Sequence, residues 1–147
     1  MIHGRAGAVI ALALTAAGCE DERPDATPER VVAELVDRMQ RVHGERGAAR
    51  DAVELLAAPA RENLAERARR ATHALGRPVG PEEMLAPSRF SLSFQPRTYG
   101  AEIAGQYAIV TVRGEGLGEE AQVRCQLEDG AWRVVLDLPD LPAVRTR

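Results

Sequence analysis

Two cysteines carry the most reactive chemistry in this chain, since a thiolate can act as a nucleophile or as a metal ligand. Cys19 directly follows an apolar run, whereas Cys125 lies in an alternating segment with Val123 and Leu127 on the same expected face. A reactive thiol needs exposure and a nearby cation or helix N-terminus, and we find neither for Cys125. We therefore predict that Cys125 is a small buried hydrophobic residue and that the distinctive chemistry belongs to Cys19.

Residues that could perform acid–base catalysis are few and scattered. His43 is predicted at the end of the first helix, where the helix dipole favours a cation, and we interpret it as structural or exposed. His73 is predicted on the flank of the third helix, with no carboxylate placed beside it. Because neither histidine belongs to a cluster of cysteine or carboxylate ligands, we predict no metal site and no cofactor.

Tyr107, Trp132 and Cys125 are the residues that could line a pocket within the domain. Tyr107 would offer a hydroxyl group, but a core tyrosine in a central strand is the simpler interpretation. Trp132 could stack on a ligand, although a large side chain anchoring the core is simpler. We predict no catalytic residue, and an enzyme is the less favoured interpretation. The glycines between positions 114 and 118 have acidic neighbours and lie between predicted strands, which indicates a hairpin loop rather than a phosphate loop.

Composition restricts the class of protein. The 147 residues carry a formal net charge of −3, with 45% hydrophobic and 28% charged residues. These proportions are typical of a globular chain with one core. A mildly acidic chain lacks the basic surface that binds nucleic acid, so we predict no nucleic-acid partner.

The N-terminal segment predicts export and lipid attachment. Arg5 precedes twelve small or apolar residues from Ala6 to Ala17, too few to cross a bilayer but enough for a signal-peptide core. The sequence Ala16-Ala17-Gly18-Cys19 then resembles the lipobox of bacterial lipoproteins, although Ala16 stands where that family usually has leucine. The resemblance implies cleavage between Gly18 and Cys19 and attachment of a diacylglycerol and an acyl chain such as palmitate to Cys19. The alternative is an ordinary secretory signal followed by a coincidental cysteine.

The remaining chain divides into three parts. Residues 19 to 26 are charged and contain a proline, which predicts a disordered tether. Residues 27 to 138 contain all the periodic hydrophobic patterns and form the predicted domain. Residues 139 to 147 follow the last pattern and are predicted to be an unstructured tail, leaving 1 to 18 as the signal peptide.

Hydrophobic periodicity predicts helices first and strands afterwards. Apolar residues at spacings of three and four predict helices at about 28 to 43, 47 to 57 and 60 to 75, with Thr27 as a cap and Gly76 as a stop. Alternation then predicts strands at 90 to 94, in a longer run ending at Arg113, at 121 to 128 and at 132 to 138. Asp129-Gly130 is a strong signal for a two-residue hairpin turn. We therefore predict an α+β fold with the helices on one face of a curved antiparallel sheet of about four strands.

This order of elements resembles the nuclear transport factor two-like superfamily, also described as cystatin-like. The segments that carry the resemblance are TPERVVAELVDRM, AVELLAAPARENLAERA and DGAWRVVLDLP. More closely, the chain is similar to small bacterial lipoproteins and secreted proteins of that superfamily whose domains have no assigned function. The resemblance implies a cone-shaped fold with space between the long helix and the sheet.

These observations favour a lipid-anchored protein of the bacterial cell envelope with a non-catalytic binding or assembly domain. The alternative is a small pocket enzyme or a carrier for an apolar molecule. The expected partners are the membrane, reached through the lipid on Cys19, and an envelope protein. The outer membrane is slightly favoured over the inner membrane. Gln122, Arg124 and Gln126 make the open sheet face polar, which favours a monomer or a weak dimer.

Overall fold

The computed structural model describes residues 23–45 and 47–143, which form an α+β domain with the helices preceding the strands. The predicted signal peptide and the first residues of the predicted tether lie outside this part of the chain. The helices are α1 (Pro28–Arg41), α2 (Ala48–Glu54) and α3 (Ala58–Leu75), followed by short 3-10 turns at Pro81–Met84 and Pro87–Arg89. The strands are β1 (Thr98–Ala104), β2 (Tyr107–Arg113), β3 (Glu120–Glu128) and β4 (Ala131–Val134). The prediction of helices packed on an antiparallel sheet of four strands is confirmed at this level.

Local sequence signals account for the helix ends. The Thr27 hydroxyl accepts a hydrogen bond from the Arg30 amide at 3.2 Å, and Pro28 occupies the first helical position of α1. Gly76 ends α3 in the left-handed conformation, with φ of 66°. The predicted boundary between α2 and α3 is wrong by a few residues. Pro59 lies inside the first turn of α3, where a missing amide hydrogen disturbs no helical hydrogen bond.

The four strands form an antiparallel meander in the order β1-β2-β3-β4. Gly105 has φ of 63° in the two-residue turn that joins β1 to β2. Asp129 and Gly130, with φ of 51° and 78°, join β3 to β4. Positive φ at both central residues is the geometry of the favoured hairpin turn, so the prediction for Asp129-Gly130 is confirmed.

The prediction of a strand at 90 to 94 is wrong. Residues 90 to 97 are irregular, and the side chains of Phe90, Leu92 and Phe94 pack against the core without strand pairing. The predicted long run to Arg113 is instead two strands separated at Gly105, so the sheet still has four. Alternation of apolar and polar residues indicates which side chains are buried. A strand also needs hydrogen bonds to a neighbouring strand, which residues 90 to 94 lack.

The last strand is shorter than predicted, and other segments occupy its outer edge. β4 ends at Val134, whose amide donates to the Leu55 carbonyl and whose carbonyl accepts from the Ala57 amide, both at 2.8 Å. Farther along the same edge, the Trp132 amide donates to the Asp25 carbonyl at 2.9 Å. These bonds cover the edge with the chain before α1 and the chain between α2 and α3, which protects it from other strands.

The core lies between α1 and the inner face of the sheet. α1 contacts β1, β2 and β4 and buries Val31, Val32 and Leu35 almost completely. Opposite them, β2 buries Ala108, Val110 and Val112, and the alternate residues of β2 point away from the helices. The domain therefore has one covered and one open sheet face.

The segment after the sheet has no helix or strand over residues 139 to 143, yet α3 holds it in place. The Pro139 carbonyl accepts hydrogen bonds from Arg67 at 2.7 Å and Asn63 at 3.2 Å, and the Pro142 carbonyl accepts one from Arg70 at 2.6 Å. Part of the arginine-rich face of α3 therefore binds backbone carbonyls of the same chain.

Candidate functional site

The interior contains no group suited to acid–base catalysis. Within residues 23–45 and 47–143, the buried side chains are hydrophobic and none is polar or charged. An enzyme of the pocket type needs at least one carboxylate or imidazole in such an interior, where burial shifts its pKa. The described part of the domain offers none.

Cys125 and Trp132 belong to the core rather than to an open pocket. Cys125 is 1% exposed and Trp132 is 7% exposed, and both contact other buried residues. Burial raises the pKa of the Cys125 thiol to about 12, and the charge of Glu29 acts in the same direction. Because the thiol stays protonated near neutral pH, it is neither a nucleophile nor a metal ligand there. Both simple interpretations of these residues are confirmed.

The position of Tyr107 differs from the one predicted from the sequence. Tyr107 begins β2 and is 62% exposed on the open sheet face, so it is neither a core tyrosine nor a residue between helix and sheet. Tyr107 and the exposed Ile109 flank a shallow depression of about 330 Å³. Tyr99 lies in β1 and is half-buried. Burial and, to a smaller extent, the charge of Asp37 raise its pKa.

Both described histidines, His43 and His73, lie at exposed positions near helix ends. His43 is exposed in the turn that follows α1, and His73 is exposed near the end of α3. In the part of the chain that the structure describes, no three side chains of histidine, cysteine, aspartate or glutamate converge to hold a metal ion.

Cys19 lies outside the described residues, but the end of the predicted tether does not. A side-chain oxygen of Asp25 lies 2.6 Å from a guanidinium nitrogen of Arg133, and the two side chains are 16% and 20% exposed. With the bond from the Trp132 amide, this ion pair fixes the chain to β4. The prediction of a disordered tether extending to Ala26 is therefore wrong at its last residues, because Asp25 is hydrogen-bonded to the sheet.

A concave surface lies between the C-terminal half of α1 and residues 87 to 95. It is a groove of about 430 Å³, which we call the α1 groove. Its floor consists of Val36 and Met39 from α1 and of Phe90 and Leu92 from the irregular segment. Met39 is 6% exposed and the other three pack partly buried against the core, so the floor is continuous with the hydrophobic interior.

The rim of the α1 groove is polar. Gln40 and His43 line it on one side, and Ser88, Ser91 and Gln95 line it on the other. Sequence reasoning missed this site, because it assigned Phe90 and Leu92 to a strand and placed His43 by itself at a helix end. The signal that could have indicated it is the apolar content of residues 84 to 94, which favours burial of that segment against the rest of the domain.

Comparison with known proteins does not add a family to these observations. No family model, no curated protein and no solved structure matches the chain. Among residues 23–45 and 47–143, no helix combines the length and apolar character needed to cross a membrane.

Proposed function

We propose that this chain is a lipid-anchored protein of the bacterial cell envelope whose domain binds or assembles and does not catalyse. The observation that carries the proposal is the sequence Ala16-Ala17-Gly18-Cys19, placed directly after an apolar run of signal-peptide length. A diacylglycerol and an acyl chain on Cys19 together supply the two apolar anchors that stable membrane attachment requires.

The position of Asp25 is consistent with close attachment to the membrane. The side chain of Asp25 is held at the sheet by Arg133, and Asp25 follows Cys19 by six positions. Six extended residues span at most about 20 Å, so a lipidated Cys19 would hold the β4 edge near the bilayer surface. As in the sequence analysis, the outer membrane is the favoured location and a monomer or weak dimer the favoured state.

The non-catalytic role is supported by the hydrophobic interior. No buried carboxylate, imidazole or activated thiol is present among the described residues, and the pKa of Cys125 is raised rather than lowered. Placement within the nuclear transport factor two-like superfamily belongs to the same proposal. Its support is the order of elements, with α1 packed across the inner face of a four-stranded meander.

The alternative is a carrier for a small apolar molecule, and one observation favours it. The α1 groove has an apolar floor, a polar rim and a volume of about 430 Å³, which lies within the range typical of ligand sites. This role is compatible with a lipid anchor and requires no catalytic residue.

The experiment is an intact-mass measurement on protein extracted from membranes, made beside Cys19→Ala and Cys125→Ala variants. We expect the parent chain to begin at residue 19 and to carry the mass of a diacylglycerol plus an acyl chain. Cys19→Ala should lose both cleavage at this position and the lipid, whereas Cys125→Ala should keep both and serve as the matched cysteine control. An unmodified parent chain, or cleavage at another position, would overturn the anchor.

A further inference from the structure

We propose that the α1 groove binds one small, uncharged and mainly aliphatic molecule that carries a single hydrogen-bonding group. The inference rests on the binding role proposed above and specifies the site and the chemical class of its ligand. It is drawn from the floor of the groove, from its rim and from its size.

The floor of the α1 groove favours a ligand whose main part is apolar. Val36, Met39 and Leu92 are aliphatic or thioether side chains, and Phe90 adds one ring. Each apolar group that covers this floor removes hydrophobic surface from water, at about 25 cal/mol per Å². An aliphatic chain can follow the curved surface formed by a helix side and an irregular segment, and methionine adapts readily to such ligands.

The rim selects against charge. Among the side chains that the structure describes, those that line the groove include no aspartate, glutamate or arginine. Asp37 and Arg41, on the same helix, pair with each other instead of facing the groove. An ionised ligand would lose hydration on this apolar floor, and the described lining offers no carboxylate or guanidinium group to pair with it, which is unfavourable.

The rim also supplies the hydrogen bond. The side chains of Gln40, His43 and Gln95 form no hydrogen bond to another residue within 23–45 and 47–143, while the Ser91 hydroxyl donates to the Ser88 carbonyl at 3.2 Å. Amide and imidazole groups without protein partners can both donate to and accept from a hydroxyl or carbonyl group of a ligand.

The size favours a small molecule over a protein partner. A volume of about 430 Å³ matches a compact ligand. A stable protein interface uses about 20–30 residues on each side and about 800 Å² per partner, which exceeds this surface.

The test uses photolabelling of the full chain in lipid nanodiscs with decanol that carries a diazirine on its alkyl chain. Ser91→Trp places a large ring at the exposed rim without altering the core. Ser93→Trp is the matched control, since Ser93 is an exposed serine two positions away that does not line the groove. Adducts are located by peptide mass spectrometry, with unlabelled decanol or decanoate as competitor.

We expect adducts on peptides containing residues 87 to 95 and 36 to 43 in the parent chain and in Ser93→Trp. Ser91→Trp should reduce them at least about tenfold, equivalent to about 1.4 kcal/mol of binding. Decanol should compete with the photolabel at least about tenfold better than decanoate does, which again corresponds to about 1.4 kcal/mol of binding free energy. Labelling spread over the whole surface, equal labelling of Ser91→Trp, or equal competition by decanoate would overturn the proposal. Because the lipid on Cys19 is read from the intact mass of the same sample, loss of the anchor and loss of ligand binding are separate results.

Discussion

The carboxylate of Glu128, at the end of β3, caps the N-terminus of α3 from seventy residues away. Its two oxygens lie 2.9 and 3.2 Å from the Ala58 amide nitrogen, and the nearer guanidinium nitrogen of Arg61 is 3.4 Å from one of them. The residue in the cap position is Ala57, whose side chain cannot accept a hydrogen bond. Glu128 therefore replaces a local cap and places a negative charge at the positive end of the helix dipole.

Replacing Glu128 with alanine should lower the free energy of unfolding by about 1–2 kcal/mol, because a part-buried amide loses its acceptor and α3 loses its cap. Glu128→Gln should cost less, since an amide oxygen can still accept the bond. Chemical denaturation followed by the fluorescence of Trp132, the single tryptophan, measures the effect. Glu120→Ala is the control, because Glu120 is exposed and pairs only with Arg113, and its effect should stay within about 0.5 kcal/mol. Equal losses for the two variants would contradict the capping role.

Replacing Asp25 with alanine should loosen the chain before α1 from β4. The Asp25–Arg133 pair is largely shielded from water, so its loss should lower the free energy of unfolding by about 1–2 kcal/mol. This value lies between the small effect of losing an exposed ion pair and the larger effect of losing a buried one. Hydrogen exchange of the Trp132 amide, which donates to the Asp25 carbonyl, should become faster. Asp37→Ala removes an exposed partner of Arg41 and should leave that exchange rate unchanged. An unchanged rate in Asp25→Ala would show that the ion pair does not hold the segment.

The Cys125 thiol should be unreactive in the folded protein. Its pKa is raised to about 12 and its side chain is inaccessible, so both thiolate formation and reagent access are suppressed. Treatment of a Cys19→Ala chain with iodoacetamide at pH 8 should leave the native protein unmodified and should modify it fully after denaturation. Rapid modification of the native chain, detected by mass, would place the thiol at the surface.

The same burial predicts a loss of stability at alkaline pH. In the unfolded chain the thiol ionises near its ordinary pKa of 9, while in the folded chain it remains protonated up to about 12. The contribution of the protonated Cys125 thiol to the free energy of unfolding is therefore fully present below pH 9. It is lost as pH rises from about 9 to about 12, by roughly 1 kcal/mol per pH unit. Unfolding curves of the parent and of Cys125→Ala, measured at several pH values, isolate this group from Tyr99, whose pKa is also raised. If the difference in unfolding free energy between the parent chain and Cys125→Ala did not change with pH, the predicted effect of the buried thiol would be wrong.

The parts of the fold that could be predicted are those with a local cause. Thr27 caps α1 through a residue three positions away, and Asp129-Gly130 adopts its turn because of its own backbone preferences. The apolar stripe of α1 indicated which residues would be buried, and Val31 and Leu35 are buried. Cys125 and Trp132 could be assigned to the core for the same reason, since alternation along a strand determines which face a residue occupies.

The parts that could not be predicted depend on partners distant in the chain. Phe90 and Leu92 alternate like strand residues, yet they belong to no strand in the described part of the chain, and they form the floor of a groove against α1. Tyr107 fits a central strand, which it begins, but it is exposed because α1 packs on the other face of that strand. The capping of α3 by Glu128 leaves no local signal, since Ala57 and Glu128 meet only in the folded domain.

The sequence by itself determined the order of helices and strands, the turns and the lipobox-like segment ending at Cys19, because each depends on neighbouring residues and their intrinsic preferences. Tertiary structure alone decided that Asp25 closes on Arg133, that Leu55 and Ala57 cover the edge of β4, and that α1 and residues 87 to 95 enclose a groove. The first of these contacts joins residues 108 positions apart, and such distant partners meet only when all the elements are packed together by hydrophobic burial, which has no direction along the chain.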